Sequence, residues 1–207
     1  IIFGILLFTF KLSSAQTAWF WQNPKPQGSN LYTVEFLNEN TGMAMGSNGC
    51  FIKTTNAGAT WSFKQFKKLL RDYPDYHSCI YALNENVIFV LSAHDNSFAE
   101  DYYIMKSTDG GNSWDSTFIV NDYRVSLSQI SFVNETTGYC FFGGNYELPI
   151  SHIYKTTNAG TTWNKYTING TNDSLRSVYF INQNTGFISR SGYSRQYYKT
   201  TNGGSIW

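Results

Sequence analysis

Charge is what this chain has least of. Asp, Glu, Lys and Arg together make up 14% of its 207 residues, and 15 basic side chains against 14 acidic ones leave a formal net charge of +1. Capture of a polyanion needs a basic stripe or patch, so this balance argues against nucleic acid as a partner. Cysteine is scarce too. Cys50, Cys79 and Cys140 form an odd, widely spaced set without a Cys-x-x-Cys pair, and His77, His94 and His152 stand far apart. Zinc spacing is absent, no disulfide pairing is specified, and each cysteine reads as a small hydrophobe on a strand. Beyond the N-terminal run no stretch is apolar enough to cross a bilayer, so no transmembrane span is expected. Nucleophile elbows, phosphate loops and dinucleotide fingerprints are missing as well, and no cofactor is expected.

The first residues, IIFGILLFTFKLSSAQ, are an apolar core followed by a short polar stretch with small residues. That is the build of a secretory signal peptide over 1–15, its basic leader missing, with Ser13 and Ala15 placed for cleavage after Ala15. The expected location is secreted or cell surface. Residues 16–30 form an N-terminal segment in which Trp19 to Trp21 is expected to serve as a clasp strand.

What the chain does have is aromatic side chains and a repeat. Aromatics supply 18% of residues, with 15 Tyr and 16 Phe, a bias toward strand formers. A nine-residue phrase recurs four times as KTTNAGATW, KSTDGGNSW, KTTNAGTTW and KTTNGGSIW, ending at Trp61, Trp114, Trp163 and Trp207. The tryptophans are 53, 49 and 44 residues apart, close to the roughly 40 to 50 residues of a four-stranded propeller blade. A second phrase precedes the first as VEFLNENTGMAMG, ISFVNETTGYCFFG and VYFINQNTGFISR, with a diverged copy in IYALNENVIFVLS. Each joins two apolar strands through an Asn-rich turn, a hairpin signature.

The fold class expected is all-β: a propeller of four-stranded antiparallel blades at 31–66, 79–120, 127–168 and 175–207. The fourth blade is incomplete, and a parent of six to eight blades is expected. Strands are expected at Leu31–Leu37, Gly42–Ser47, Cys50–Thr54 and Trp61–Phe66; at Cys79–Leu83, Val87–Ala93, Tyr102–Ser107 and Trp114–Val120. The third blade places them at Leu127–Val133, Gly138–Gly143, His152–Thr156 and Trp163–Ile168, and the fourth at Leu175–Ile181, Gly186–Ser191 and Tyr197–Thr200.

Within the phrase, the short polar side chains of Asn56, Asp109, Asn158 and Asn202 can accept hydrogen bonds from turn amides. Gly58, Gly111, Gly160 and Gly204 can take the positive φ that such a turn needs. Thr54, Ser107, Thr156 and Thr200 can bond within the same hairpin, and each tryptophan offers a large apolar area to bury against the blade. Calcium is the competing use of repeated Asx turns. Three of the four Asx residues are neutral Asn and no bidentate Glu follows, so the phrase reads as a folding device with no metal assigned. Lys53, Lys106, Lys155 and Lys199 open every copy and read as solvated strand ends that discourage edge pairing.

These phrases resemble the Asp-box repeat, also called the bacterial neuraminidase repeat, and are most similar to its photosystem II assembly-factor-like branch, from Leu31 to Trp207. The opening WFWQNPKPQGSNLY resembles exported propellers of Bacteroidetes type, which often end in a type IX secretion sorting domain. The resemblance implies a propeller and leaves function open, since such propellers include sialidases, glycan hydrolases, assembly chaperones and receptors. In sialidase-type members the boxes lie away from the catalytic centre.

A sialidase would need an arginine triad, an activated tyrosine and an acid/base aspartate. Arg71, Arg124, Arg176, Arg190 and Arg195 stand in no such phrase, and Asp72, Asp75, Asp95, Glu100 and Asp101 fall in insertions. No catalytic residue is assigned, and the chain leans away from being an enzyme. A binding or assembly scaffold fits better, with a protein or glycan ligand and a monomeric chain. The crossing 67–77 and the inserts 94–101 and 145–150 break the economy of the repeat. Tyr73, Tyr76, His94, Phe98, Tyr146, Tyr193 and Arg195 in and near them form the expected ligand face. The alternatives are a sialidase-like hydrolase whose catalytic residues lie elsewhere, and an assembly chaperone similar to the photosystem II factors.

Overall fold

The computed structural model describes residues 29–65, 79–95, 100–121, 125–144, 152–166, 175–190 and 197–207. The signal segment 1–15 and the clasp at Trp19 to Trp21 lie outside them.

Four antiparallel sheets follow one another along the chain. The first is β1 (Leu31–Phe36), β2 (Gly42–Gly46), β3 (Cys50–Thr54) and β4 (Ser62–Gln65); the second is β5 (Ile80–Ala82), β6 (Ile88–Asp95), β7 (Glu100–Ser107) and β8 (Asp115–Asn121). The third is β9 (Val125–Phe132), β10 (Gly138–Gly144), β11 (His152–Thr156) and β12 (Asn164–Tyr166), and the fourth has three strands, β13 (Leu175–Phe180), β14 (Gly186–Arg190) and β15 (Tyr197–Thr200). Strands pair in sequence order within every sheet, so each is an up-and-down meander, and no α-helix occurs among the described residues. This is a β-propeller built of blades.

Period-2 alternation explains why blades stack. In β10, Tyr139 and Phe141 point to one face and Cys140 and Phe142 to the other, and all four are fully buried. The Cys140 face joins Phe89, Leu91, Tyr102 and Ile104 of the second blade, while the Tyr139 face joins Leu175, Val178, Phe180 and Ile188 of the fourth. Met43, Met45 and Phe51 meet Ile80, Ile88, Val90 and Met105 in the same way between the first two blades. The core therefore lies between sheets, and no single blade could bury it alone.

The expected strands differ from the observed ones mainly in the second blade. There the insert 94–101 was expected to be a loop, but β6 runs on to Asp95 and β7 starts at Glu100, with His94 paired to Asp101 across the ladder. No Gly or Pro interrupts SAHD or EDYY, so the hairpin extends.

Candidate functional site

The repeat turns are built alike in all four blades. Thr156 is buried, and its hydroxyl oxygen accepts from the Gly160 N–H at 2.9 Å and the Asn158 N–H at 3.3 Å while donating to Asn158 Oδ1 at 3.0 Å. Asn158 Oδ1 also accepts from the Thr162 N–H at 2.9 Å, and its Nδ2 donates to Thr162 Oγ1. Thr54, Asn56, Gly58 and Thr60 repeat the pattern, and Thr200, Asn202, Gly204 and Ile206 keep it except for the last bond, since Ile206 has no hydroxyl. In the second blade Ser107 and Asp109 take these places: Asp109 accepts from Ser113 Oγ at 2.6 Å and from the Ser113 and Asn112 amides at 2.8 Å. The Ser113 hydroxyl and amide, with Ser107 and Asn112 behind them, hold this carboxylate well below its usual range. The Asx oxygens are committed to the turn itself.

Gly58, Gly111, Gly160 and Gly204 have φ of +83°, +89°, +76° and +79°. Space demands glycine as well. A methyl on Gly160 would lie 2.9 Å from Phe89 Cζ and closer still to Cε1, one on Gly111 would strike Phe51, and one on Gly204 would strike Tyr139. Each ring belongs to the preceding blade.

Three of the four opening lysines correct their sequence reading. Lys53 Nζ donates to the Glu85 carbonyl at 2.9 Å, Lys106 Nζ to that of Ala159 at 2.7 Å and Lys155 Nζ to that of Gly203 at 3.3 Å. Every acceptor lies on a turn of the next blade, so these ammonium groups tie blade to blade. Lys106 and Lys155 also cover Phe89 and Tyr139, 5.8 and 5.2 Å from the ring centroids. Lys199 covers Phe187 at 5.8 Å.

The tryptophans need correcting too. Trp61, Trp114, Trp163 and Trp207 are half-buried, and the first three stand one residue before the strand that each was expected to begin. Trp114 meets Phe51 of the first blade edge-on at 5.6 Å, and Trp163 meets Phe89 of the second at 6.4 Å. Trp163 also meets Phe132 of its own blade at 6.0 Å, Trp207 meets Phe180 of its own at 5.7 Å and Trp61 packs on Ala44, Cys50 and Ile52, so the indoles pack on their own blades as expected, and those of the second and third blades reach the seam between blades as well.

Sequence reasoning passed over Asn38, Asn84, Asn134 and Asn182. Their Oδ1 atoms accept from the amides two and three residues on, at 2.8 to 3.0 Å, and cap the turn between first and second strands. That turn bonds the repeat turn of its own blade, as from the Ala159 N–H to the Thr136 carbonyl at 2.8 Å. Their recurrence in all four blades was the available signal.

Both turns sit at one end of each blade. At the opposite end, the second and third strands are joined by Ser47–Gly49 in the first blade and by 96–99, 145–151 and 191–196 in the others. Of the expected ligand face, His94 lies on β6 at that end. Tyr73, Tyr76, Phe98, Tyr146, Tyr193 and Arg195 lie outside the described residues. No helix of the described residues is long and apolar enough to cross a membrane.

No protein-family model matches the chain, and no curated protein matches it. Solved structures do match. YCF48 from Cyanidioschyzon merolae superposes at a TM-score of 0.54 and 11% identity over 85% of this chain and 52% of its own. YCF48 bound to a D1 peptide gives 0.49 and 14% over 85% of this chain and 68% of its own. The GH74 enzyme of Niastella koreensis gives 0.48 and 15% over 86% and 37%. The chain thus spans about half the length of the Cyanidioschyzon structure, and what it shares with that structure is the propeller fold.

Proposed function

We propose that this chain belongs to an exported β-propeller that acts as a binding or assembly scaffold, holding a protein or glycan at the loop-bearing end of its blades, with no catalysis in this segment. The observation that carries the reading is the contrast between the two ends. One end repeats the same hydrogen-bonded turns from blade to blade, its polar groups spent internally. The other end joins strands through connections that differ from blade to blade, and variation grafted on a rigid scaffold is where recognition resides. The four repeat turns and the signal-like start support the finer reading, an Asp-box propeller of the photosystem II assembly-factor-like branch, exported to the cell surface.

A glycan array, a peptide library and a panel of sialoside and oligosaccharide substrates, applied to the signal-free chain, test this reading. Binding without turnover is expected, lost when Tyr146, Tyr193 or Arg195 becomes Ala and kept in Asp109→Asn. Turnover by the purified chain would overturn it in favour of a hydrolase.

A further inference from the structure

Two of the three cysteines meet where the second and third blades pack together. Cys79 stands just before β5. Side chains alternate between faces here: Ile80 enters the core shared with the first blade, while Cys79 and Tyr81 turn to the core shared with the third. Cys140 is fully buried in that second core, and so is Ile130, its partner across the β9–β10 ladder.

The backbone brings the two sulfurs together. The Val133 N–H bonds the Thr137 carbonyl inside its own blade, so by alternation the Ile130 N–H points off the free edge of β9. The Cys79 sulfur accepts from it. Ile130 and Cys140 are then a pair whose own N–H and C=O groups point outward, which is the closer of the two ladder spacings, with Cα atoms about 4.5 Å apart. Cys79 therefore sits against the residue that flanks Cys140. Burial, and after it the Cys79 sulfur, push the Cys140 thiol up, as two sulfurs in one dry core should.

The seam between the third and fourth blades shows the same reach. Gln129 holds the place of Cys79, and its Oε1 accepts from the Val178 N–H at 3.2 Å and from the Ser177 hydroxyl at 2.7 Å. Ile188 stands opposite Val178 there, and Thr33 and Val90 hold the two places between the first and second blades. Among the described seams, cysteine faces cysteine in the second alone. Cys50 packs elsewhere, with Ala44, Ile52 and Trp61 of the first blade.

We propose that Cys79 and Cys140, both thiols in this structure, form a disulfide that ties the second blade to the third. The oxidising surroundings that keep such a bond rest on the export reading; the juxtaposition of the two cysteines stands apart from it. The step is exchange with a disulfide RSSR, either glutathione disulfide or that of an oxidoreductase. Cys79, the more accessible of the two, attacks first: its sulfur bonds one sulfur of RSSR, whose S–S bond breaks and releases RS⁻. Cys140 Sγ then attacks Cys79 Sγ, the bond from Cys79 to SR breaks, and a second RS⁻ leaves. The oxidant takes two electrons, and the two thiol protons end on two RSH. The bridge joins residues 61 apart, and a loop that long should lower the unfolding equilibrium constant on the order of a hundredfold or more.

The whole chain, reduced and then held folded in a glutathione redox buffer, tests the proposal. Non-reducing peptide mapping by mass spectrometry should find two peptides joined through Cys79 and Cys140, and the Cys50 thiol alone should remain titratable after denaturation. Cys50→Ala should form the same bridge. The bridged parent should resist urea more than its reduced form by the factor above. That difference should vanish in Cys79→Ala, a half-buried site where the change leaves the fold intact by circular dichroism. Three titratable thiols after oxidation of the folded parent, a bridge through Cys50, or equal urea resistance with and without the bridge would overturn the proposal. The buffer supplies the oxidant whether or not the chain is exported, so failure of the export reading leaves this result standing.

Discussion

Gly160→Ala probes the contact on which each seam turns. Gly160 sits at φ +76°, where a Cβ costs about 1 to 2 kcal/mol. Its methyl would also enter the Phe89 ring, and that ring has nowhere to go: it is fully buried, stacked on Phe132 at 4.7 Å and met edge-on by Trp163 at 6.4 Å. Overpacking of this kind costs about 1 to 3 kcal/mol more, for a total of about 2 to 5 kcal/mol. Equilibrium urea unfolding followed by tryptophan fluorescence measures it. In a Phe89→Leu background the overlap with the ring is gone and only the backbone share, about 1 to 2 kcal/mol, should remain. Equal costs in the two backgrounds, or a loss in the parent below about 1 kcal/mol, would refute the seam geometry.

Thr156→Val keeps the shape of a fully buried side chain but orphans the Gly160 and Asn158 amides, and should cost about 2 to 4 kcal/mol in the same assay, with Thr156→Ser close to the parent. Ala57 and Ala159 hold φ of +56° and +54° where Gly110 and Gly203 stand in the other blades. Replacing either by Gly relieves about 1 to 2 kcal/mol of strain against about 0.4 to 1 of added chain entropy, so thermal unfolding should show a gain of about 0.5 to 1 kcal/mol each. Asp109 titrates below its unfolded value, so its stabilisation is present above that value and lost as pH falls through the folded one. The advantage of the parent over Asp109→Asn in urea midpoint at pH 7 should therefore shrink below about pH 4, and a difference constant from pH 7 to pH 3 would contradict the depressed carboxylate.

Repetition made the blades legible. Four copies of one phrase fixed the positions of the hairpins, and the period-2 run in GYCFF announced a strand buried on both faces. The seams were less legible because their acceptors are backbone carbonyls. Glu85, Ala159 and Gly203 contribute a C=O that any residue would supply, so no side-chain pattern connected them to Lys53, Lys106 and Lys155. The first blade hides its seam further. Met43 stands where Phe89 and Tyr139 stand elsewhere, and Phe51 on the adjacent strand supplies the ring instead, an exchange across strands that alignment by position does not reveal. The tryptophans looked like blade core since indoles are large and apolar, yet their place at the end of a turn leaves them half in water. Of the expected ligand face, six of the seven residues lie outside the described residues, in stretches that the repeated phrases do not cover.

One hydrogen-bonded turn, repeated four times, organises these blades. Amide hydrogen exchange of Gly58, Gly111, Gly160 and Gly204 tests it most directly, since each N–H donates to a buried Thr or Ser oxygen at 2.8 to 2.9 Å. Exchange slowed on the order of a thousandfold or more is expected at all four, Gly58 included, because the bond is internal to its own blade. Exchange of any of them at the rate of an unstructured chain would contradict it.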